Sequence, residues 1–344
     1  MNQLQGSPWL LAHRSLLKPN HPQKVSLLGQ DYVLWQDSQG KISALPNACP
    51  HMGAMLSEGW CVRQSKGGTA VVCPFHALEF DHHGCTVLPG ANKQTKSLLK
   101  PLELIIHGDL IWTYGGYEPK ISIPKLMDEI AANYQFIGVT GDRSIPTNIL
   151  NLLLNMHDYN HQNGTHRELF EIEEVQVKQF IDEGLHSHAY LAQPRKQPTF
   201  REILKNPAQL ALPKVLEAHL ENYFPFMGVM HGDNSLLSLK ECHFYLPETE
   251  ERSRVFVLMY MQAHSPIAHL LKRNLLKLID VVVEQDARIL SKIYPNTPQR
   301  IKLTNEVGMD WVRRNFEQFP TEMPDRFLLT QHPDRDVVEP GFPG

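Results

Sequence analysis

The chain has 344 residues, enough for two or three domains around a sizeable core. Hydrophobic residues make up 42% and charged residues 20%, and the net charge is -4, a balance that gives no reason to expect nucleic acid or an anionic membrane as a partner. No apolar run approaches the ~20 residues that span a bilayer. The N-terminus, MNQLQGSPWLLAHRS, lacks the long apolar core of a secretory signal, so a cytoplasmic location is expected.

In chain order, residues 9–45 read as short strands broken by turns. Val25, Leu27 and Leu28 precede Gly29, then come Tyr32, Val33 and Leu34. Asp37-Ser38-Gln39-Gly40 is a turn before the next strand at 41–45. Residues 49–84 hold two knots of metal-type ligands, Cys49-Pro50-His51 and Cys73-Pro74-Phe75-His76. Two thiolates and two imidazoles could close a tetrahedral zinc site. They could equally hold a [2Fe–2S] cluster, with two Cys on one iron and two His on the other. The tight Cys-x-His spacing favours the cluster, since zinc knuckles usually open with two to four residues between ligands.

These residues resemble the Rieske pattern C-x-H … C-x2-H, down to the turn Phe80-Asp81-His82-His83-Gly84 that follows. The loop departs from that family in three places. Twenty-one residues lie between His51 and Cys73, with the excess in the polar stretch 63–69. Ala77-Leu78 replaces the usual Gly-Trp, and Met52 stands where many members carry Arg or Lys. No departure removes a ligand.

Cys61, Cys85 and Cys242 are left over, an odd number without disulfide spacing, and are expected to be buried free thiols. The twelve-residue period of Cys49, Cys61, Cys73 and Cys85 is read as coincidence, because Cys61 and Cys85 lack the Pro-His company. Two β-type runs at 102–106 and 110–114, closed by Gly115-Gly116, complete a first domain over residues 1–116. Residues 117–344 form the second.

Residues 146–162 read as one helix, with Pro146 in its first turn and Leu150, Leu154, His157, Asp158 and His161 on one face. Gly164 would stop it and return His166 towards His161. After a Rieske-type loop, the string Asp158-x2-His161-x4-His166 looks like the mononuclear-iron motif of the Rieske non-haem iron oxygenases. That resemblance implies a third, carboxylate ligand late in the chain, completing a two-His, one-carboxylate site with open positions. Residues 266–293 read as one long helix whose apolar stripe is Ile279, Val282, Val283, Ile289, Leu290 and Ile293. Asp286 interrupts that stripe, where an unpaired carboxylate is costly, and a metal partner would resolve the cost. His157 is the rival imidazole; Asp280 and Glu284, on the solvated side of the helix, are the rival acids.

Between the helices, residues 171–180, 186–191, 236–246 and 254–261 read as strands. His186 and His188 share one strand face and are read as a solvent-facing pair. The hairpin at 242–261 resembles that of vanillate-demethylase-type members. For the fold, the resemblance implies an α+β chain: a Rieske β domain, then an antiparallel sheet gripping a C-terminal helix.

For function, it implies a terminal oxygenase. Such a component uses O2 and electrons relayed from NAD(P)H through a separate reductase or ferredoxin to hydroxylate or oxidatively demethylate an organic substrate. Its cofactors would be a [2Fe–2S] cluster on Cys49, His51, Cys73 and His76, and Fe(II) on His161, His166 and Asp286. The resemblance also implies that Asp158 bridges an iron-bound histidine to a Rieske histidine of a neighbouring subunit, hence a ring-shaped homotrimer. An electron carrier with a non-catalytic second domain and a zinc-stabilised binding protein stay open as alternatives. The substrate is not encoded in any motif.

Overall fold

A computed structural model describes residues 4–64, 68–90, 93–170, 172–195, 215–294 and 297–322. The first part of the chain is built from short strands: β1 (Trp9–His13), β2 (Gln23–Leu27), β3 (Gln30–Gln36), β4 (Ile42–Pro46), β5 (Trp60–Arg63), β6 (Thr69–Val72), β7 (Glu79–Phe80), β8 (Ile105–His107) and β9 (Leu110–Thr113). They form three small antiparallel sheets, ordered β1-β9-β8, β2-β3-β4 and β5-β6-β7. Leu28 and Gly29 join β2 to β3 with φ of 50° and 83°, the two-residue turn whose twist matches a hairpin.

The second part starts with helix α1 (Leu126–Asn133) and strand β10 (Gln135–Ile145). Helix α2 (Ile149–Met156) and the short α3 (Arg167–Phe170) follow. Then come β11 (Gln176–Asp182), β12 (His186–Pro194), β13 (Val215–Tyr223), β14 (Met227–Asp233), β15 (Leu237–Thr249) and β16 (Arg252–Ala263), and lastly helices α4 (Lys272–Leu290) and α5 (Val307–Glu317). The seven strands form one antiparallel sheet in the order β10-β16-β15-β14-β13-β12-β11. The sheet and the helices behind it match the expected α+β architecture. Strands β10, β13 and β14 and helices α1 and α5 were not anticipated from the sequence.

Each side of this sheet has its own occupant. Trp112 of β9 packs edge-on against Phe226 and Phe244, and His13 stacks on Phe136, so the first part of the chain docks on one face. Helix α4 crosses the other. Gly141 makes that crossing possible. It sits in a β10 bulge at φ +61°, and a Cβ there would come within 2.7 Å of Val283 Cγ2. Thr140 Oγ1 donates to the Leu276 carbonyl at 2.7 Å, and Arg143 pairs with Asp280 at 2.7 Å, which fixes the helix along its length. Ile279, Val283, Asp286 and Leu290 are the buried stripe of α4.

Both long helices expected from the sequence are interrupted. Residues 266–293 divide into a 3-10 segment, Pro266–Leu271, and α4, and Ile289 and Ile293 are exposed rather than part of the stripe. Helix α2 ends at Met156 instead of running on to 162. Asp158 is extended and its carboxylate caps a new 3-10 turn, Tyr159–Asn163, by accepting from Asn160 N at 2.9 Å. Gly164 closes that turn. No helix among the described residues is long and apolar enough to cross a membrane.

Candidate active site and iron–sulfur centre

The two Cys-Pro loops have the same backbone plan. Cys49 N donates to Ala54 O and Gly53 N returns to Cys49 O. Likewise Cys73 N donates to Leu78 O and Ala77 N returns to Cys73 O. In each loop the residue four past the cysteine has positive φ, +75° at Gly53 and +54° at Ala77. Ala77 thus adopts a left-handed conformation that glycine takes without cost.

The loops bury both cysteines, at 3% and 1% exposure, and leave His51 and His76 at the surface. The two imidazoles meet with Nδ1 atoms 3.2 Å apart. Burial, and Cys73 beside it, push the Cys49 thiol up, so that thiol resists ionising without a metal to take the charge. Among the described residues, no three of these four ligands bring their metal-binding atoms within 4.8 Å of one another. A single tetrahedral ion would require about 3.3–3.8 Å between all four. Paired thiolates at one end and paired imidazoles at the other fit two irons instead.

Cys61, Cys85 and Cys242 are all free thiols. Cys242 is fully buried as expected, whereas Cys61 and Cys85 are only partly so. Asp81 organises the following turn by accepting from His83 N and Cys85 N, both at 2.9 Å.

On the helix side of the large sheet, His161, His166 and Asp286 converge, with ligand atoms mutually within 4.8 Å. Asp286 Oδ1 lies 3.2 Å from His166 Nε2 and 3.6 Å from His161 Nε2. The far nitrogen of each ring is already committed. His161 Nδ1 donates to the Asp158 carbonyl, and His166 Nδ1 donates to Gln285 Oε1 at 2.7 Å. This fixes both tautomers and aims both Nε2 atoms at the carboxylate. Yet His166 Nε2 and Asp286 Oδ1 are both buried and find no hydrogen-bond partner beyond this His–Asp group, a costly state that a shared cation relieves. Burial works to raise the Asp286 pKa, but the two imidazoles outweigh it and hold the carboxyl below its usual range. The donor set is the facial arrangement suited to Fe(II), and the residues present fit that ion.

The rivals lie elsewhere. His157 is buried, donates from Nδ1 to Leu153 O at 2.7 Å, and packs its ring on Trp311 at 5.3 Å. It belongs to the contact between α2 and α5. Asp280 and Glu284 both reach Arg143 on the outer side of α4. Asp158 stands partly buried at the head of the His161 turn. Gln285 was not anticipated, although its place beside Asp286 was the available signal. Glu241 and His243 were also missed: both are buried on the same sheet face as Tyr245, with His243 Nε2 3.7 Å from Glu241 Oε2 and His243 Nδ1 without a hydrogen-bond partner. Their exposure to the iron side depends on strand register, which sequence alone did not reveal. His186 and His188 are not the solvent-facing pair expected. They are half-buried on the sheet face opposite the iron residues, within a hydrogen-bonded cluster.

The Rieske [2Fe-2S] domain family matches residues 7–99, and the vanillate O-demethylase oxygenase C-terminal domain family matches residues 146–312. The chain is 30% identical to a cholesterol 7-desaturase of Ciona intestinalis over 36% of this chain and 26% of that protein. It is 26% identical to aminopyrrolnitrin oxygenase of Pseudomonas fluorescens over 51% and 49%. These matches therefore span from a quarter to a half of those relatives. Dicamba monooxygenase bound to dicamba superposes with a TM-score of 0.67 at 20% identity, covering 92% of this chain and 97% of that one. The two families occur in this order on one chain, each over the residues that carry its candidate ligands, and the chain belongs to the Rieske non-haem iron oxygenases with a vanillate-demethylase-type catalytic domain.

Proposed function

We propose that this chain is the terminal oxygenase component of a multicomponent system. Residues 1–116 would receive electrons and residues 117–344 would oxidise an aromatic or polycyclic substrate by hydroxylation or oxidative demethylation. The observation that carries the reading is the buried convergence of His166 Nε2, Asp286 Oδ1 and His161 Nε2, with no hydrogen-bond partner for the first two beyond this group, in a chain that also pairs His51 with His76. Iron bound in the two sites would supply one-electron transfer and oxygen activation.

The protein's own work is positioning. Gln285 and the Asp158 carbonyl hold the two rings, and α4, pinned through Thr140 and Arg143, holds Asp286. Tyr159, Ile172, Val175, Ala189 and Leu191 form a separate apolar cluster around the turn that carries His161, which helps keep water away. Electrons would come from NAD(P)H through a separate reductase or ferredoxin, reaching the cluster at its exposed histidine edge. Asp158 would link His161 to the cluster of a neighbouring subunit in a homotrimer.

The test is iron, zinc and acid-labile sulfide per chain on anaerobically purified protein. About three irons to two sulfides is expected. About two irons persisting after Fe(II) is added back would leave an electron carrier, and zinc without sulfide would overturn the reading at its root. With three irons in place, oxygen uptake driven by NADH and a surrogate reductase opens the substrate screen.

A further inference from the structure

The sheet face opposite the iron carries a second concentration of imidazoles and carboxylates. His186 and His188 are two residues apart on β12 and so project the same way. On β13, Tyr223 lies opposite His186, Glu221 opposite His188 and His219 opposite Tyr190. His231 of β14 is paired with His219. Glu183 enters from the turn between β11 and β12. The ligand atoms of Glu183, His186 and His188 lie within 4.8 Å of one another, and Glu183 Oε2 is 3.1 Å from His186 Nδ1. That separation suits two ligands on one ion with bonds of about 2.0–2.2 Å.

The far side of each ring separates this cluster from an ordinary polar patch. His186 Nε2 faces Glu221 Oε1 at 3.1 Å. Glu221 is itself held by the Tyr223 hydroxyl at 2.6 Å and lies 3.2 Å from His231 Nε2. His188 Nδ1 is 3.1 Å from His219 Nε2, which leaves its Nε2 to bind. His219 is clamped between Tyr190 and His231, with ring centroids 4.4 and 4.5 Å away. One nitrogen of each histidine is therefore tied to a braced partner, the arrangement that fixes tautomer and direction in metal-bound imidazoles. Glu183 is 56% exposed and His186 25%, so an ion could enter from solvent and keep water in its remaining positions.

We propose that Glu183, His186 and His188 form a second divalent-cation site for a zinc-class first-row ion, with Glu221 and His219 as supporting residues. Two imidazoles and one carboxylate select such ions over calcium or magnesium. An ion there would brace the turn on which α5 rests, because Trp311 Nε1 and Asn315 Nδ2 both donate to Gly184 O, at 2.8 and 3.0 Å.

Zinc is the probe. Protein with its iron sites filled is dialysed against buffered Zn(II), and zinc and iron are counted per chain. One zinc is expected beyond the iron. Glu183→Gln, at an exposed turn where the fold tolerates change, and His186→Ala should each weaken zinc binding at least tenfold with iron content unchanged. Glu221→Gln should weaken it by roughly 10–100-fold through the lost support. His166→Ala should lose mononuclear iron and keep this zinc. The proposal is overturned if no zinc binds, if zinc binds equally to the Glu183 and His186 variants, or if the bound zinc disappears with His166→Ala.

Discussion

His157 is the sharpest point at which the structure separates a ligand from a packing residue. It is 2% exposed, keeps its proton on Nδ1 for Leu153 O, and has a buried Nε2 with no partner beside Trp311. Burial lowers its pKa from 6.5 to about 4. The sign follows from proton counting. Below pH 6.5 the unfolded chain takes up a proton that the folded chain refuses until about pH 4, so stability is full above 6.5 and falls as the pH drops through that window. The loss is about 2 kcal/mol by pH 5 and about 3 kcal/mol once pH passes the folded value.

His157→Phe keeps a ring against Trp311 and removes the titration. Urea-unfolding midpoints at pH 7.5, 6 and 5, followed by tryptophan fluorescence, should fall less steeply with acid in the variant than in the parent. Every other titrating group is shared by the two proteins and cancels in the difference. Iron content should match the parent throughout. Equal acid slopes would refute the burial argument, and lost mononuclear iron would mean that His157 is a ligand after all.

Four further outcomes test the site. Asp286→Ala should lose mononuclear iron while the cluster's visible spectrum persists. Gln285→Leu, which frees His166 Nδ1 from its 2.7 Å partner, should weaken iron binding by about 10–100-fold, read by competition with a chelator. Asp158→Asn should keep both iron sites filled and the cluster reducible, yet abolish substrate turnover; normal turnover would remove Asp158 from the electron path. Gly308→Ala would press a Cβ to within 2.6 Å of His157 O and 2.8 Å of the Tyr159 hydroxyl, so unfolding should come about 1–3 kcal/mol sooner and iron should leave faster.

What the sequence disclosed was local chemistry. Cys49, His51, Cys73 and His76 stand out as candidates because each loop carries its cysteine, histidine and turn residues within four positions. Asp286 stands out as a candidate because a carboxylate on an apolar stripe contradicts its surroundings. The helix over 146–162 was misjudged for a related reason. Its apolar period runs smoothly up to Met156, and the signal that breaks it, Asp158 capping a new turn, also looks like one more polar residue on the helix. Cross-strand placement was least legible. Glu241 and the cluster around His186 acquire meaning only when β12 to β15 are set in register, and Gln285 only when α4 is laid beside His166.

The sheet also constrains how electrons could reach the iron. The first part of the chain docks on one face through Trp112, Phe226 and Phe244, while His161, His166 and Asp286 lie with α4 on the other. His51 and His76 are exposed, so the histidine edge of a cluster held there would face solvent rather than the sheet. The proposed trimer then makes a prediction that no single-chain route shares. Chains carrying Cys49→Ser keep an iron site without a donor, and chains carrying Asp286→Ala keep a donor without an iron site; each should be inactive alone. In rings assembled from an equal mixture, half the chains carry a competent iron and half of those meet a competent donor, so about one quarter of parental turnover should return. Separately assembled rings mixed without subunit exchange should stay inactive. No recovery after co-assembly, with ring formation verified by sedimentation, would mean that cluster and iron communicate within one chain, and the role given to Asp158 would fall with the trimer route.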